Sequence, residues 1–215
     1  TDLPLIRKVA LTGKPIIVST GMATLSDIGQ AVDTIRNEGN DQIVLLKCTS
    51  TYPADPANSN LHTIPHLRDA FHTFVGLSDH TPGIGVPIAA TALGATVIEK
   101  HFTLNRSEGG VDAAFSLEPE EMRTLVEESS RAHASLGSIT YGSTAAESGS
   151  LQFRRSLYIT RNLKKGDMLT RENVRAIRPG FGLSPSVLDS ILGLRVVDDA
   201  PLGTPLSWTL LRDQP

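Results

Sequence analysis

Two stretches decide how this chain folds: Gly76-Leu77-Ser78-Asp79-His80-Thr81 and Val97-Ile98-Glu99-Lys100-His101-Phe102. Each reads as a strand that ends at a histidine. An apolar run leads in (Phe74-Val75 in one, Thr96-Val97-Ile98 in the other), and polar residues cluster at the exit. Side chains alternate faces along a strand, so Ser78 shares a face with His80 and Glu99 with His101. If the two strands are parallel neighbours, two imidazoles, a hydroxyl and a carboxylate converge at the carboxyl end of a sheet. That is where α/β folds place their chemistry. Two histidines so placed can hold a divalent metal and leave positions open for water and substrate. The plain alternative is that each imidazole only bonds a backbone carbonyl. His62, His66, His72 and His133 lie in loop-like or helical stretches and carry no assigned chemistry.

Outward from these stretches the pattern repeats. Ile16–Met22 (IIVSTGM) and Gln42–Thr51 (QIVLLKCTST) are further apolar runs with polar exits. Helical spacing fills the gaps: Leu3–Leu11 ahead of Gly13 and Pro15, a helix opening at Ser26-Asp27, one over Leu61–Phe71 interrupted near Pro65, and one over Val86–Leu93. Thr96–Leu104 is the fourth strand, and Glu118-Pro119-Glu120-Glu121 opens a last helix running to Leu136. Four strand–helix units of this kind, with runs that read as buried on both faces, predict a parallel α/β sheet. Their converging exits carry Ser19, Ser50, His80 and His101 and suggest a (β/α) barrel face. A barrel of this type needs eight units, and four would leave two bare edges.

Ser138–Gly149 is small and polar, as a linker is. After it the texture changes to short alternating strands, Arg155–Thr160 and Val174–Pro179, a helix through Leu188 and Leu192, and last short strands after Gly193 and Gly203. This divides the chain into a partial barrel (1–137), a linker (138–153) and a small β-rich domain (154–215).

The 215 residues suffice for one sizeable core or two small domains. With 20 basic and 23 acidic residues and no Lys/Arg run, the chain offers no nucleic-acid footprint. Cys48 is the only cysteine, which rules out a disulfide framework and makes a reducing cytoplasm the expected compartment. No apolar stretch reaches the length of a membrane span. The start at Thr1-Asp2-Leu3 shows no signal-peptide pattern and reads as a cut.

The motifs KPIIVSTGM (14–22), LLKCTSTYP (45–53), GLSDHTPG (76–83), GATVIEKHFTL (94–104), GGVDAAFSLEP (109–119) and IRPGFGL (177–183) resemble, in order, the C-terminal part of the sialic acid synthase family. Cys48–Ser50, the FSLEP run and the RSLY strand are most similar to its pseudaminic branch. The resemblance implies the last four units of a TIM (β/α)₈ barrel, followed by an antifreeze-like (SAF) domain. It makes this chain a fragment, expected to be inactive alone, whose missing half precedes Thr1. It also implies condensation of phosphoenolpyruvate with a 2,4-diacetamido-2,4,6-trideoxy hexose of the altrose type, releasing phosphate. Sialic or legionaminic acid synthesis, an inactive fragment or sugar-binding module, and a metal-dependent aldolase acting on pyruvate are the alternatives.

By the same resemblance His80 and His101 are the metal ligands. Mn²⁺ is the expected ion, with Mg²⁺ or Co²⁺ as substitutes. Ser19, Ser50 and Ser78 match phosphoenolpyruvate-binding positions, although the sialic branch tends to have asparagine at Ser50, and strand-exit serines also cap helices. Tyr52, Asp112 and Arg178 match sugar contacts; Asp112 could equally be a turn residue and Tyr52 packing. Glu99 is a metal-site support, a proton-transfer group or an ion-pair partner of a lysine. Lys100 and Lys47 point away from that face. The family forms homodimers in which the SAF domain reaches the partner's site.

Overall fold

The computed structural model describes residues 1–211. The chain divides into two compact units, Thr1–Ser138 and a second that begins at Ile139.

The first unit alternates helix and strand: α1 (Leu3–Ala10), β1 (Ile16–Ser19), α2 (Leu25–Asn37), β2 (Ile43–Cys48), α3 (Thr63–Phe71), β3 (Phe74–Asp79), α4 (Gly85–Ala92), β4 (Val97–Lys100) and α5 (Pro119–Ser135). The four strands form one parallel sheet in the order β1-β2-β3-β4. Alternate strand residues (Ile16, Ile43, Leu45, Val75, Leu77) join Ile28, Val32, Ile35, Ile64 and Leu67 of the helices in one core. Burying such side chains is the main stabilising term, roughly 1.5–3 kcal/mol for each large one. The opposite face carries Leu46, Cys48, Gly76, Ser78, Val97 and Glu99. Ile17 of β1 and Val97 of β4, on the two edge strands, line one open pocket of about 570 Å³, so the sheet curls into a half-barrel.

Sequence expectation and structure differ at several ends. The second helix is capped at Thr24, not at Ser26: Asp27 N–H donates to Thr24 Oγ1 (3.2 Å) and Thr24 N–H to Asp27 Oδ2 (2.9 Å). Pro65 does not interrupt α3. It occupies the third position of the helix, where a backbone N–H has no partner within the helix to lose. The strands are shorter than their apolar runs: β2 stops at Cys48, β3 at Asp79 and β4 at Lys100. Past these points the backbone bonds to loops instead: Ala54 N–H donates to the His80 carbonyl, and Leu117 N–H to the His101 carbonyl, each at 2.9 Å. Burial on both faces holds for most of β2 and β3 but not for β1 and β4, which lack an outer neighbour; Ile17 is 55% exposed.

Gly76 is required by close approach. A Cβ there would lie 2.2 Å from the Val97 carbonyl oxygen and 2.6 Å from Leu46 Cδ2.

The second unit is built on the antiparallel pair β5 (Ser156–Ile159) and β6 (Val174–Ile177), with α6 (Leu188–Ile191). Leu157, Ile159, Leu169, Val174, Ile191 and Leu206 form its core. The last short strands expected after Gly193 and Gly203 are reduced to single bridges, Met168 with Arg195, Leu163 with Ala200 and Tyr158 with Pro205. Pro205 has no N–H to extend a ladder. The linker-like stretch is partly ordered: Ala145–Phe153 is a run of 3₁₀ turns, opened by Thr144 and Glu147 in a reciprocal cap. Its Gln152 carbonyl accepts from Gly180 N–H at 2.8 Å.

Candidate active site at the strand exits

Register places the site. Ser78 pairs with Glu99, and Asp79 with Lys100, on adjacent parallel strands. His80 and His101 follow directly, one on each strand, and their rings lie 5.1 Å apart between centroids. The shared faces read from the alternation are as expected. Ser78 Oγ donates to Glu99 Oε1 at 2.6 Å. The lysine ion pair considered for Glu99 is not formed among the described residues. Lys100 instead turns to the other face and pairs with Asp79 Oδ2 at 2.7 Å, both side chains only 2% exposed.

Each imidazole has an acceptor beside Nδ1. His80 Nδ1 is 3.1 Å from the Thr49 carbonyl oxygen. A carbonyl can only accept, so in the neutral ring Nδ1 carries the hydrogen and Nε2 the lone pair. His101 Nδ1 faces Asp112 Oδ2 at 3.8 Å. The His80 bond is of the kind that orients metal-binding imidazoles, whereas the His101 contact is longer than a hydrogen bond; two such neighbouring rings fit a two-histidine metal site. Among the described residues no group of three or more His, Cys, Asp or Glu could hold an ion.

Around the imidazoles the structure gathers most of the expected residues. The Tyr52 ring, 54% exposed, lies 4.3 Å from that of His80 and 5.9 Å from that of His101. Ser50 Oγ is 3.6 Å from Cys48 Sγ, in space left by Gly21, where a Cβ would come within 2.2 Å of that hydroxyl. Cys48 is buried, with Sγ 3.9 Å from His80 Nδ1. Asp112 adopts a left-handed backbone (φ 66°), a conformation aspartate tolerates, after Gly109 and Gly110.

Two expected residues are placed on other parts of the fold. Ser19 is in register with Leu46, and through it with Gly76 and Val97, two inward-facing positions below the histidines. Arg178 belongs to the second unit, where it lines an open pocket of about 430 Å³ with Arg155, Ala176 and Ile177. The 570 Å³ pocket of the first unit touches the site only at Glu99 and is mostly apolar wall from β4 and α5. Sequence reasoning missed Phe115 and the Thr49 carbonyl. The Phe115 ring is buried 5.1 Å from that of His101 and 6.2 Å from that of Tyr52. Its place in the GGVDAAF run beside Asp112 was the available signal.

Arg106 fastens the loop that carries Asp112 and Phe115. Its guanidinium holds Glu121 by two bonds, at 2.5 and 3.0 Å, while its backbone N–H donates to Glu118 Oε1 at 2.8 Å. The Arg106 bond, then the Glu118 N–H, hold the Glu121 carboxyl below its ordinary value.

A curled parallel sheet with imidazoles, hydroxyls and a carboxylate at its strand exits defines an α/β half-barrel. More narrowly, the NeuB family model matches residues 1–141 and the SAF domain model residues 154–212, and this chain belongs to the NeuB family. It is 40% identical over 205 residues to a pseudaminic acid synthase of Campylobacter jejuni, covering 95% of this chain and 60% of that protein. It is also 40% identical over 216 residues to an N,N'-diacetyllegionaminic acid synthase of Legionella pneumophila, covering 97% of this chain and 60% of that protein. The solved spore coat polysaccharide biosynthesis protein SpsE of Bacillus subtilis superposes with a TM-score of 0.60 at 36% identity, over 99% of this chain and 65% of that one. The chain thus spans about 60% of the length of the curated relatives it matches.

Proposed function

We propose that this chain carries the metal-binding and sugar-facing part of a nonulosonic acid synthase. The reaction joins C3 of phosphoenolpyruvate to the aldehyde carbon of an acetamido sugar, adds water at C2, and breaks the C–O bond so that phosphate leaves. The observation that carries this reading is the pair of imidazoles on adjacent strand exits, one locked in the tautomer that presents Nε2.

His80 and His101 would hold the ion, Mn²⁺ first and Mg²⁺ or Co²⁺ as substitutes; when bound, it supplies Lewis-acid polarisation of the aldehyde oxygen. The chain's own residues do the rest. Glu99, fixed by the Ser78 hydroxyl, takes or returns the proton of the adding water. Ser50, Ser78 and Ser19 offer hydroxyls to phosphoenolpyruvate. The Tyr52 ring gives the sugar an apolar wall beside the imidazoles, and Asp112 accepts from its hydroxyls. Arg178 grips an acyl or carboxylate group with its fork of donors, in the homodimer that the family resemblance implies. We take the altrose-type 2,4-diacetamido sugar as the acceptor on the strength of the Cys48-Thr49-Ser50 and FSLEP motifs, with the legionaminic-type sugar as comparator, since relatives of both kinds are equally similar.

The test is phosphate release from phosphoenolpyruvate with each sugar and Mn²⁺. It is run on the chain alone and with the remaining part of a relative's barrel supplied as a second polypeptide. Release that chelation stops and that His80→Ala or His101→Ala abolishes is the expected outcome. No release in either arrangement, or release indifferent to both histidines, overturns the proposal. Pyruvate consumption without phosphate points to an aldolase instead.

A further inference from the structure

The residue just before each histidine belongs to a buried ion pair that the proposed chemistry does not use. Asp79 and Lys100 face each other in register, one position below His80 and His101. Their contact is 2.7 Å, and both side chains are almost fully enclosed. The network continues past His80. Lys100 Nζ also donates to the Thr81 carbonyl, while Asp79 accepts from Thr81 N–H and Thr81 Oγ1, each at 3.0 Å. One ammonium on β4 therefore grips the β3 exit on both sides of His80, and that ammonium sits on the residue that precedes His101.

We propose that Asp79 and Lys100 are a positioning pair, which sets the separation of the His80 and His101 imidazoles and so the affinity of the site for a divalent cation. The argument is one of geometry and cost. Desolvating a carboxylate and an ammonium consumes most of their mutual attraction, so the ion pair itself adds little net stability. Ionic pairing adds direction and register: a one-position slip between β3 and β4 would leave both charges buried and unpaired. On the opposite face of the same two strands Ser78 and Glu99 form a second rung at 2.6 Å. Consecutive rungs on both faces fix the strands' relative height and twist where the two imidazoles leave them. An imidazole pair needs that precision, because a ligand set displaced by an ångström loses metal.

The inference rests on the reading of His80 and His101 as metal ligands, and the experiment separates the two. Mn²⁺ binding to the full chain is followed by electron paramagnetic resonance for wild type, His80→Ala, Asp79→Asn and the double variant Asp79→Leu/Lys100→Met, with urea unfolding in parallel. Wild type is expected to bind and His80→Ala to lose binding. Asp79→Asn should bind about 10- to 100-fold more weakly, the range for residues that orient metal ligands. The double variant decides the matter if Asp79→Asn folds poorly, because it leaves no unpaired charge. Its urea midpoint should fall, because Thr81 loses its bonds to Asp79 and Lys100, but without urea it should stay folded and bind Mn²⁺ about 10-fold more weakly or worse. A folded double variant with wild-type affinity overturns the positioning role and leaves the ligands standing. Mn²⁺ binding that is absent in wild type, or that survives His80→Ala, overturns the ligand reading and this inference with it.

Discussion

Glu99 has its whole behaviour set by one neighbour. Its carboxylate accepts from Ser78 Oγ and has no cationic partner among the described residues, while Lys100 beside it in sequence serves Asp79 on the other face. This is the carboxylate proposed to take or return the proton of the adding water. Glu99→Gln keeps the size of the side chain and removes that capacity, so kcat for phosphate release should fall by about 10²-fold or more. Mn²⁺ affinity should stay unchanged, because the amide oxygen of the substituted side chain can still accept from Ser78 Oγ and keep the rung. A matched loss of metal affinity in the same titration would show instead that Glu99 supports the ligands. The same residue shows how far sequence reading reaches. Its face was legible from alternation, which is covalent geometry. Its partner was not, because Ser78 lies 21 residues away and meets it only through strand register.

At the scale of elements, two features hold the site in shape. The first is the contact of β3 with β2 and β4 at Gly76, where a single methyl has no room. Gly76→Ala should destabilise the chain by about 1–3 kcal/mol, as overpacking does, seen as a lower urea midpoint with an unchanged slope. The second is the attachment of the Asp112–Phe115 loop to the start of α5 through Arg106 and Glu121. Glu121 ionises more readily in the folded chain than in the unfolded one, whose carboxyl titrates near the ordinary 4.5. Its contribution is therefore complete above that pH and is lost as pH falls through the lower folded value. Below 4.5 the urea midpoint of wild type should drop more steeply than that of Glu121→Gln. Parallel curves would mean the bond carries no pH-dependent stability. The strand runs and the acidic start of α5 could be read from the sequence. The early strand ends could not, because they depend on where Ala54 and Leu117 return to bond the two histidine carbonyls.

For the molecule as a whole, the first unit leaves β1 and β4 as open edges of a parallel sheet. Ile17, on the β1 edge, is 55% exposed. Unpaired ladder groups beside apolar side chains invite strand addition, so the isolated chain should self-associate, with a mass by light scattering that rises with concentration. A monomer at every concentration would mean that these edges are blunted in solution. Among the described residues no helix is long and apolar enough to cross a membrane. By itself the sequence determined the strand–helix alternation, the face on which each strand residue lies, and the family, because all three are written in local order and spacing. Only the tertiary structure decided which groups touch: Thr49 with His80, Asp112 with His101, Lys100 with Asp79, and Ser78 with Glu99. Those pairings join distant segments, and the register of neighbouring strands and the return of loops across their ends create them.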